Sequence, residues 1–205
     1  MSISLHNQIP NVVRAASMSS VPWAHAYLPG TLPIDFATHI AHSFDDIALT
    51  RCEQTEYEKS YRFGTAELGP GGVQPAGGEW SSLVDSLSGA EYRDALSELT
   101  SLDLANAKCT LSLWEYYTGD WLAPHVDKAE KLVTQIFYLT PDWQEGDAGR
   151  LLILERSEIT SVVHALPPRL GASAILVRSE SSWHAVEPPS KPGGKRRSIT
   201  ATFWR

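Results

Sequence analysis

The chain has 205 residues, of which 42% are hydrophobic and 20% charged, as is ordinary for one sizeable soluble domain. Its net charge of −7 argues against a general nucleic-acid or anionic-membrane surface, because such surfaces need a basic face. No apolar run approaches the roughly 20 residues of a membrane helix. The two cysteines, Cys52 and Cys109, suggest a reducing compartment, with buried free thiols favoured over a disulfide. We therefore expect a cytoplasmic protein without nucleic-acid or membrane partners.

The first half of the chain is predicted to be mainly helical. Residues 1–20 lack the apolar segment of a signal peptide and are expected to be a flexible start. Within residues 21–107, apolar side chains at helical spacing predict helices over residues 34–44, 80–87 and 90–99. Ser88 and Glu91 have the spacing of a capping box at the start of the last helix.

A segment rich in glycine and proline separates the first two of these helices. Residues 64–78 contain six glycines and two prolines, a density that neither helices nor strands tolerate. The segment is interpreted either as a mobile lid over an active site or as an ordinary surface loop.

The second half, residues 108–205, is predicted to consist of strands. Turn signals separate five short β-prone segments, at residues 110–116, 132–139, 150–154, 173–178 and 198–204. No crossover helix fits between them, which favours an antiparallel sandwich or jelly roll over a parallel sheet. We therefore predict a single α+β domain over residues 1–205, mainly β, with a jelly-roll core and N-terminal supporting helices.

The main candidate for chemistry is a pair of residues in the second half, His125 and Asp127. In an extended segment, residues two apart point to the same face, so both side chains can reach one metal ion. Pro124 keeps the chain extended before them. The pair alone is a weak signal, but His184 supplies a second histidine downstream. Two histidines and one carboxylate form a facial triad, which is diagnostic of non-haem Fe(II) oxygenases.

The remaining histidines carry no such pattern, and most histidines in proteins are not metal ligands. His39 and His42 share one face of the predicted helix without a completing carboxylate or cysteine, and are interpreted as structural. His164 lies near two prolines and stays unassigned.

An arginine near the C-terminus is the candidate anion receptor. Strand alternation places Arg196 on the same face as Ser198, and a guanidinium with a hydroxyl donor suits a carboxylate ligand. Arg197 on the opposite face is the alternative, because alternation alone does not tell which face is inside.

Residues 111–204 resemble the Fe(II)- and 2-oxoglutarate-dependent dioxygenases, in their prolyl-4-hydroxylase-like branch. The matching segments follow the order of that family, at residues 116–127, 134–139, 143, 147–151, 183–188 and 196–200. More loosely, residues 23–29 resemble the family's N-terminal strand. The family usually has two glycines where this chain has Ala148 and Gly149; this mild departure touches no catalytic residue.

The resemblance implies a double-stranded β-helix and a role for each matching residue. His125, Asp127 and His184 would hold iron. The remaining implied residues belong to the 2-oxoglutarate pocket: Arg196 on the distal carboxylate with Tyr138, then Ser198, Thr134 and Tyr116. Tyr117 is the alternative to Tyr116.

The activity implied is an Fe(II)-, 2-oxoglutarate- and O2-dependent oxygenation that releases succinate and CO2. The presence of Asp127 favours hydroxylation over halogenation, and leaves desaturation or ring formation open. We expect the substrate to be a small molecule, such as an amino acid or a natural-product intermediate. A protein or peptide hydroxylase, of the prolyl type, is the alternative. A non-catalytic jelly roll that binds a ligand is less favoured, because the metal triad and Arg196 are intact.

Overall fold

The computed structural model describes residues 5–56 and 59–205. In these ranges an eleven-stranded antiparallel sheet curls into a roll, and helices pack against one of its faces. The helices are α1 (Leu5–Arg14), α2 (Ile34–Ser43), α3 (Gly78–Ser88) and α4 (Ala90–Thr100). The strands are β1 (His25–Leu28), β2 (Thr50–Gln54), β3 (Tyr61–Leu68), β4 (Lys108–Tyr117), β5 (Trp121–His125), β6 (Lys131–Tyr138), β7 (Leu151–Leu154), β8 (Val162–Leu166), β9 (Ser173–Val177), β10 (His184–Val186) and β11 (Lys195–Trp204).

The strand order confirms the predicted jelly roll. The sheet runs β1-β9-β6-β11-β4-β3-β5-β10-β7-β8, with β2 paired to β3, and every pair of these strands is antiparallel. The five predicted strands are all present, although β5, β8 and β10 were not predicted. β10 has three residues, β5 contains a proline and β8 is largely exposed, so none has the apolar alternation that marks a strand.

Alternation along the central strands divides the core into two layers. On β11, Ile199 and Phe203 face the helices and join a cluster with Tyr92 and Leu96 of α4. The opposite side of the central strands faces the interior of the roll, where Tyr138 of β6 lies in a second apolar cluster. The interior side therefore carries the residues from which a pocket can form.

The N-terminal segment corrects one prediction. Residues 5–14 are not flexible but form α1, whose Leu5, Ile9 and Val13 are buried in the helical layer. Their spacing of four residues puts all three on one helix face. Arg14 at the end of α1 forms ion pairs with two glutamates of α4. Residues 1–4 lie outside the described ranges.

The region predicted as mainly helical also contains strands. β2 and β3 were missed because β2 alternates between exposed and half-buried polar residues and carries no apolar stripe. β3 includes Gly64, so only residues 69–77 form the loop that was predicted over residues 64–78.

The predicted capping box at Ser88 is wrong. Ser88 is the last residue of α3, and Gly89 precedes α4 without a side-chain cap. A Cβ atom at Gly89 would lie 3.2 Å from the Asp85 carbonyl oxygen, so the tight junction between the two helices favours glycine there.

Both cysteines are free and partly buried, as predicted. Burial raises the pKa of the Cys109 thiol to about 11. In the described ranges, no helix combines the length and apolar character needed to cross a membrane.

We expect Ile9→Ala to lower the free energy of unfolding by about 3 kcal/mol, because it removes a fully buried side chain from the layer between α1 and α4. Urea denaturation measures the change. Asn11→Ala, at an exposed position of the same helix, is the control and should change little. Equal stability of the two variants would contradict the docking of α1.

Candidate metal centre

Strand pairing brings the predicted triad together. His125 ends β5, His184 begins β10, and the two residues face each other in the antiparallel register. Asp127 follows two residues after β5. The ring centroids of the histidines are 4.2 Å apart, and the candidate ligand atoms of all three residues lie within 4.8 Å of one another.

Backbone hydrogen bonds orient both imidazole rings. His125 Nδ1 lies 3.0 Å from the Ala123 carbonyl oxygen, and His184 Nδ1 lies 2.9 Å from the Ser182 carbonyl oxygen. A carbonyl oxygen only accepts, so each Nδ1 carries the proton and each Nε2 presents a lone pair. Each Nε2 is also the atom closest to the Asp127 carboxylate, at 3.8 Å and 4.0 Å. Burial lowers the pKa of both histidines, which keeps the rings neutral.

Asp127 is held in the charged state by its surroundings. Burial by itself would raise the pKa of this carboxyl, but the histidines His184 and His125, when protonated, and the ammonium of Lys131 outweigh that effect and lower the pKa. Lys131 Nζ lies 2.7 Å from Asp127 Oδ1, which restricts the rotation of the carboxylate. Two neutral imidazole nitrogens and one carboxylate around a common point fit a divalent first-row metal such as Fe(II).

Arg196 lies inside the roll, on the same side as the triad. In the strand register, Arg196 of β11 lies opposite Tyr116 of β4, and Ser198 of β11 lies opposite Tyr138 of β6. The guanidinium lies 5.0 Å from the ring centroid of Tyr116 and 5.4 Å from that of Tyr138. Its Nε donates to the Gly149 carbonyl oxygen at 2.8 Å.

Arg196 has no counter-ion among the residues that the structure describes. Only 3% of its surface is exposed, and no carboxylate among the described residues lies within 4 Å of the guanidinium. A buried charge without a partner is costly, so such sites normally bind an ion of opposite sign. The Tyr138 hydroxyl is also buried, without a hydrogen-bond partner among the described residues. Burial raises the pKa of Tyr138, so this hydroxyl remains a neutral donor.

A cavity of about 90 Å³ joins the triad to Arg196. Of the predicted pocket residues, Ser198, Thr134 and Tyr116 also line it, whereas Tyr138 lies just beyond its wall. Burial raises the pKa of Tyr116 to about 12, so its hydroxyl is a second neutral donor near Arg196. The cavity therefore combines a potential metal site with an anion receptor.

The two alternative residues point elsewhere. Tyr117 is exposed on the other face of β4. Arg197 lies on the helical side, where its Nε donates to Glu115 at 2.8 Å and its terminal nitrogens bond to Asp45 and to the Ala41 carbonyl oxygen. Strand alternation thus separates the two arginines completely.

Other residues considered from the sequence lie outside the cavity. His39 and His42 are exposed on α2, and His164 is exposed on β8 with its ring 5.2 Å from that of His25. None of residues 69–77 lines the cavity, so their placement does not support a lid.

Two lysines of the cavity were not found from the sequence. Strict alternation back from Thr134 would place Lys131 on the helical face, but the register between β6 and β11 shifts at this end. Lys59 lies in the connection between β2 and β3, which were not recognised as strands. No sequence signal marks either residue.

Comparison with protein-family models gives a match in the second half of the chain. The family model described as the 2OG-Fe(II) oxygenase superfamily matches residues 111–204. Comparison with curated proteins gives no significant match. The match thus relates residues 111–204, somewhat less than half of the chain, to the 2OG-Fe(II) oxygenase superfamily, whose members use Fe(II), 2-oxoglutarate and O2.

Several solved structures share the fold. A Pseudomonas putida prolyl-4-hydroxylase is 20% identical with a TM-score of 0.66, covering 97% of this chain and 99% of its own. A Trichoplax adhaerens prolyl hydroxylase, in complex with a hypoxia inducible factor peptide, is 16% identical with a TM-score of 0.65, covering 98% and 89%. HygX from Streptomyces hygroscopicus, with nickel and 2-oxoglutarate bound, is 9% identical with a TM-score of 0.59, covering 88% and 82%.

Ala148, at a position where the family usually has glycine, has a strained backbone. Ala148 has φ 55° and ψ −151°, a conformation that only glycine adopts without strain. Gly149 beside it has φ 76°, and a Cβ there would lie 3.3 Å from Pro189 and 3.6 Å from Arg196 Cδ. The carbonyl oxygen of Gly149, directly after the strained Ala148, accepts the hydrogen bond from Arg196 Nε.

We expect Ala148→Gly to raise the free energy of unfolding by about 1 kcal/mol, because relief of strain exceeds the added entropy of the unfolded chain. Gly149→Ala is the reciprocal variant and should be destabilising, since it adds a side chain at positive φ against Pro189. Urea unfolding compares the two. A less stable Ala148→Gly protein would show that the backbone at Ala148 is not strained.

Lys131→Met is expected to weaken the binding of Fe(II), or of Co(II) as a stable probe, by about tenfold. The reason is that Asp127 loses the partner that orients its carboxylate. Competition against a metal-binding dye gives the dissociation constant. Lys108→Met, at an exposed lysine on β4, is the matched control. Unchanged affinity in Lys131→Met would show that this ion pair does not position the ligand.

Proposed function

We propose that His125, Asp127 and His184 bind Fe(II), and that Arg196 with Tyr138 binds the distal carboxylate of 2-oxoglutarate. The observation that carries this proposal is the buried guanidinium without a carboxylate partner, in the same cavity as the histidines and Asp127. Ser198, Thr134 and Tyr116 complete the polar lining for the cosubstrate. The reaction proposed is hydroxylation of an unactivated C–H bond in a small molecule.

The reaction balances as substrate, 2-oxoglutarate and O2 giving hydroxylated substrate, succinate and CO2. When bound, iron supplies the O2 chemistry of this conversion. The protein contributes orientation: Arg196 would fix one end of the keto acid, and the neutral histidines would hold the metal ion through their Nε2 atoms. Leu151, Leu176 and Val186 supply part of the apolar wall of the cavity.

The size of a second cavity supports a small substrate. This outer cavity of about 750 Å³ adjoins His125 and Asp127, and falls in the range of roughly 300–1,000 Å³ that is usual for small-ligand sites. The alternative, a peptide hydroxylase, is supported by the similarity of the fold to prolyl hydroxylases, one of them in complex with a peptide. Succinate release in the presence of small molecules or of prolyl peptides distinguishes the two substrate classes.

The test of the cofactor site is an anaerobic titration with Fe(II) and 2-oxoglutarate, followed by the weak visible charge-transfer band of the chelate. We expect the band in the wild type, its loss in His125→Ala, and at least tenfold weaker 2-oxoglutarate binding in Arg196→Ala, because a buried charged contact disappears. Arg156→Ala, at an exposed arginine, is the control and should resemble the wild type.

A folded wild-type protein that gives no band would overturn the proposal. Circular dichroism of each variant establishes that the loss of the band does not result from unfolding. If the folded wild-type protein gives no band, a non-catalytic ligand-binding role becomes the better account of the fold.

A further inference from the structure

The outer cavity lies across the candidate metal ligands from the 2-oxoglutarate pocket. It shares Lys59, His125 and Asp127 with the inner cavity, whereas Arg196 and Ser198 line the inner cavity alone. A molecule in the outer cavity therefore contacts the metal ligands on the side opposite the anion receptor. This is the position from which a substrate C–H bond can approach the reacting centre.

The charged side chains that line the outer cavity differ in whether they have an ion-pair partner. Arg178 donates to Glu180 at 2.5 Å and to the Asp127 carbonyl oxygen at 3.4 Å, so its charge is already balanced. The Asp127 carboxylate is engaged by Lys131. Lys59 forms no ion pair within 4 Å with any carboxylate of the described residues. It is thus the unpaired cation of this lining, as far as the structure describes it.

The other groups that line the outer cavity restrict the chemical class of ligand that can bind to Lys59. Ser157 offers an exposed hydroxyl, and the indole of Trp183, half-buried against Leu154 and Ala185, offers an apolar face. A lysine ammonium and a hydroxyl recognise a carboxylate, while the indole packs against a hydrocarbon or aromatic body. The combination fits a small organic acid better than a neutral molecule.

We infer that the substrate is a small carboxylic acid whose carboxylate binds to Lys59 in the outer cavity. This inference rests on the proposed function, and assigns Lys59 as a specificity-determining residue. The ammonium holds the acid by its charged end, so the body of the molecule extends along Trp183 and a C–H bond lies toward His125 and Asp127. The class includes amino acids as well as acids without an amino group.

The test compares small carboxylic acids, amino acids among them, with their primary amides. Binding is followed without turnover, as the change that each compound causes in the anaerobic charge-transfer band of the Fe(II) and 2-oxoglutarate complex. Turnover is followed as succinate release. We expect at least one acid to perturb the band and stimulate succinate release, and its amide to do so at least about tenfold less well.

Variants at Lys59 assign the effect to this residue. Lys59→Gln should raise the half-saturating concentration of the acid by about tenfold and leave the effect of the amide unchanged. Lys59→Arg retains the charge and should restore binding of the acid to within a few-fold of wild type. Lys108→Gln, an exposed lysine on β4, is the matched control. The charge-transfer band without substrate should be the same in the wild type and in Lys108→Gln.

The results separate this inference from the proposed function. If the wild type gives a normal band, three results would overturn the role of Lys59 and leave the oxygenase intact. Acids and amides could be equally effective, or Lys59→Gln could leave the effect of the acids unchanged. The third such result is that prolyl peptides alone stimulate succinate release. Absence of the band in the wild type overturns both.

Discussion

The buried charge of Arg196 is the constraint on which the interior of this protein depends. A guanidinium in an apolar roll needs hydrogen-bond acceptors, and the backbone supplies one through the Gly149 carbonyl oxygen. That carbonyl is presented by two consecutive residues at positive φ, one of which is an alanine. The protein thus tolerates local backbone strain to hold an arginine beside Tyr116 and Tyr138. The same arginine gives the cavity its preference for an anion.

The metal centre depends on a different element, the pairing of two short strands. β5 and β10 are brief and irregular, yet their register sets His125 against His184. The flanking strands β3 and β7 hold this pair within the sheet, so the histidines lie on a rigid scaffold. Backbone carbonyl oxygens two residues before each histidine fix the ring orientation. Both rings are therefore set by the fold of their own strands.

The sequence predicted the parts of this arrangement that have local periodicity or a residue pattern. The triad and the long strands β4, β6 and β11 were recognisable because alternation and spacing carry them. Alternation left Arg196 and Arg197 as alternatives, and the resemblance to the dioxygenase family favoured Arg196. The helix α1 was missed because it contains Pro10 and because polar residues separate its buried Leu5, Ile9 and Val13. Lys59 and Lys131 could not be predicted, because one lies in a connection between polar strands and the other at a shift of register.

The ion pair between Arg197 and Glu115 has a consequence for competing folded states. These two residues are paired in register on neighbouring strands, and both are buried beneath α2. A slip of β11 by one residue in the direction that sets Ser198 opposite Glu115 would send Arg197 into the roll and leave Glu115 without its arginine. It would also place the apolar residues Ile199 and Phe203 in the polar cavity. Because an orphaned buried carboxylate costs several kcal/mol, the ion pair disfavours this misaligned pairing of the central strands.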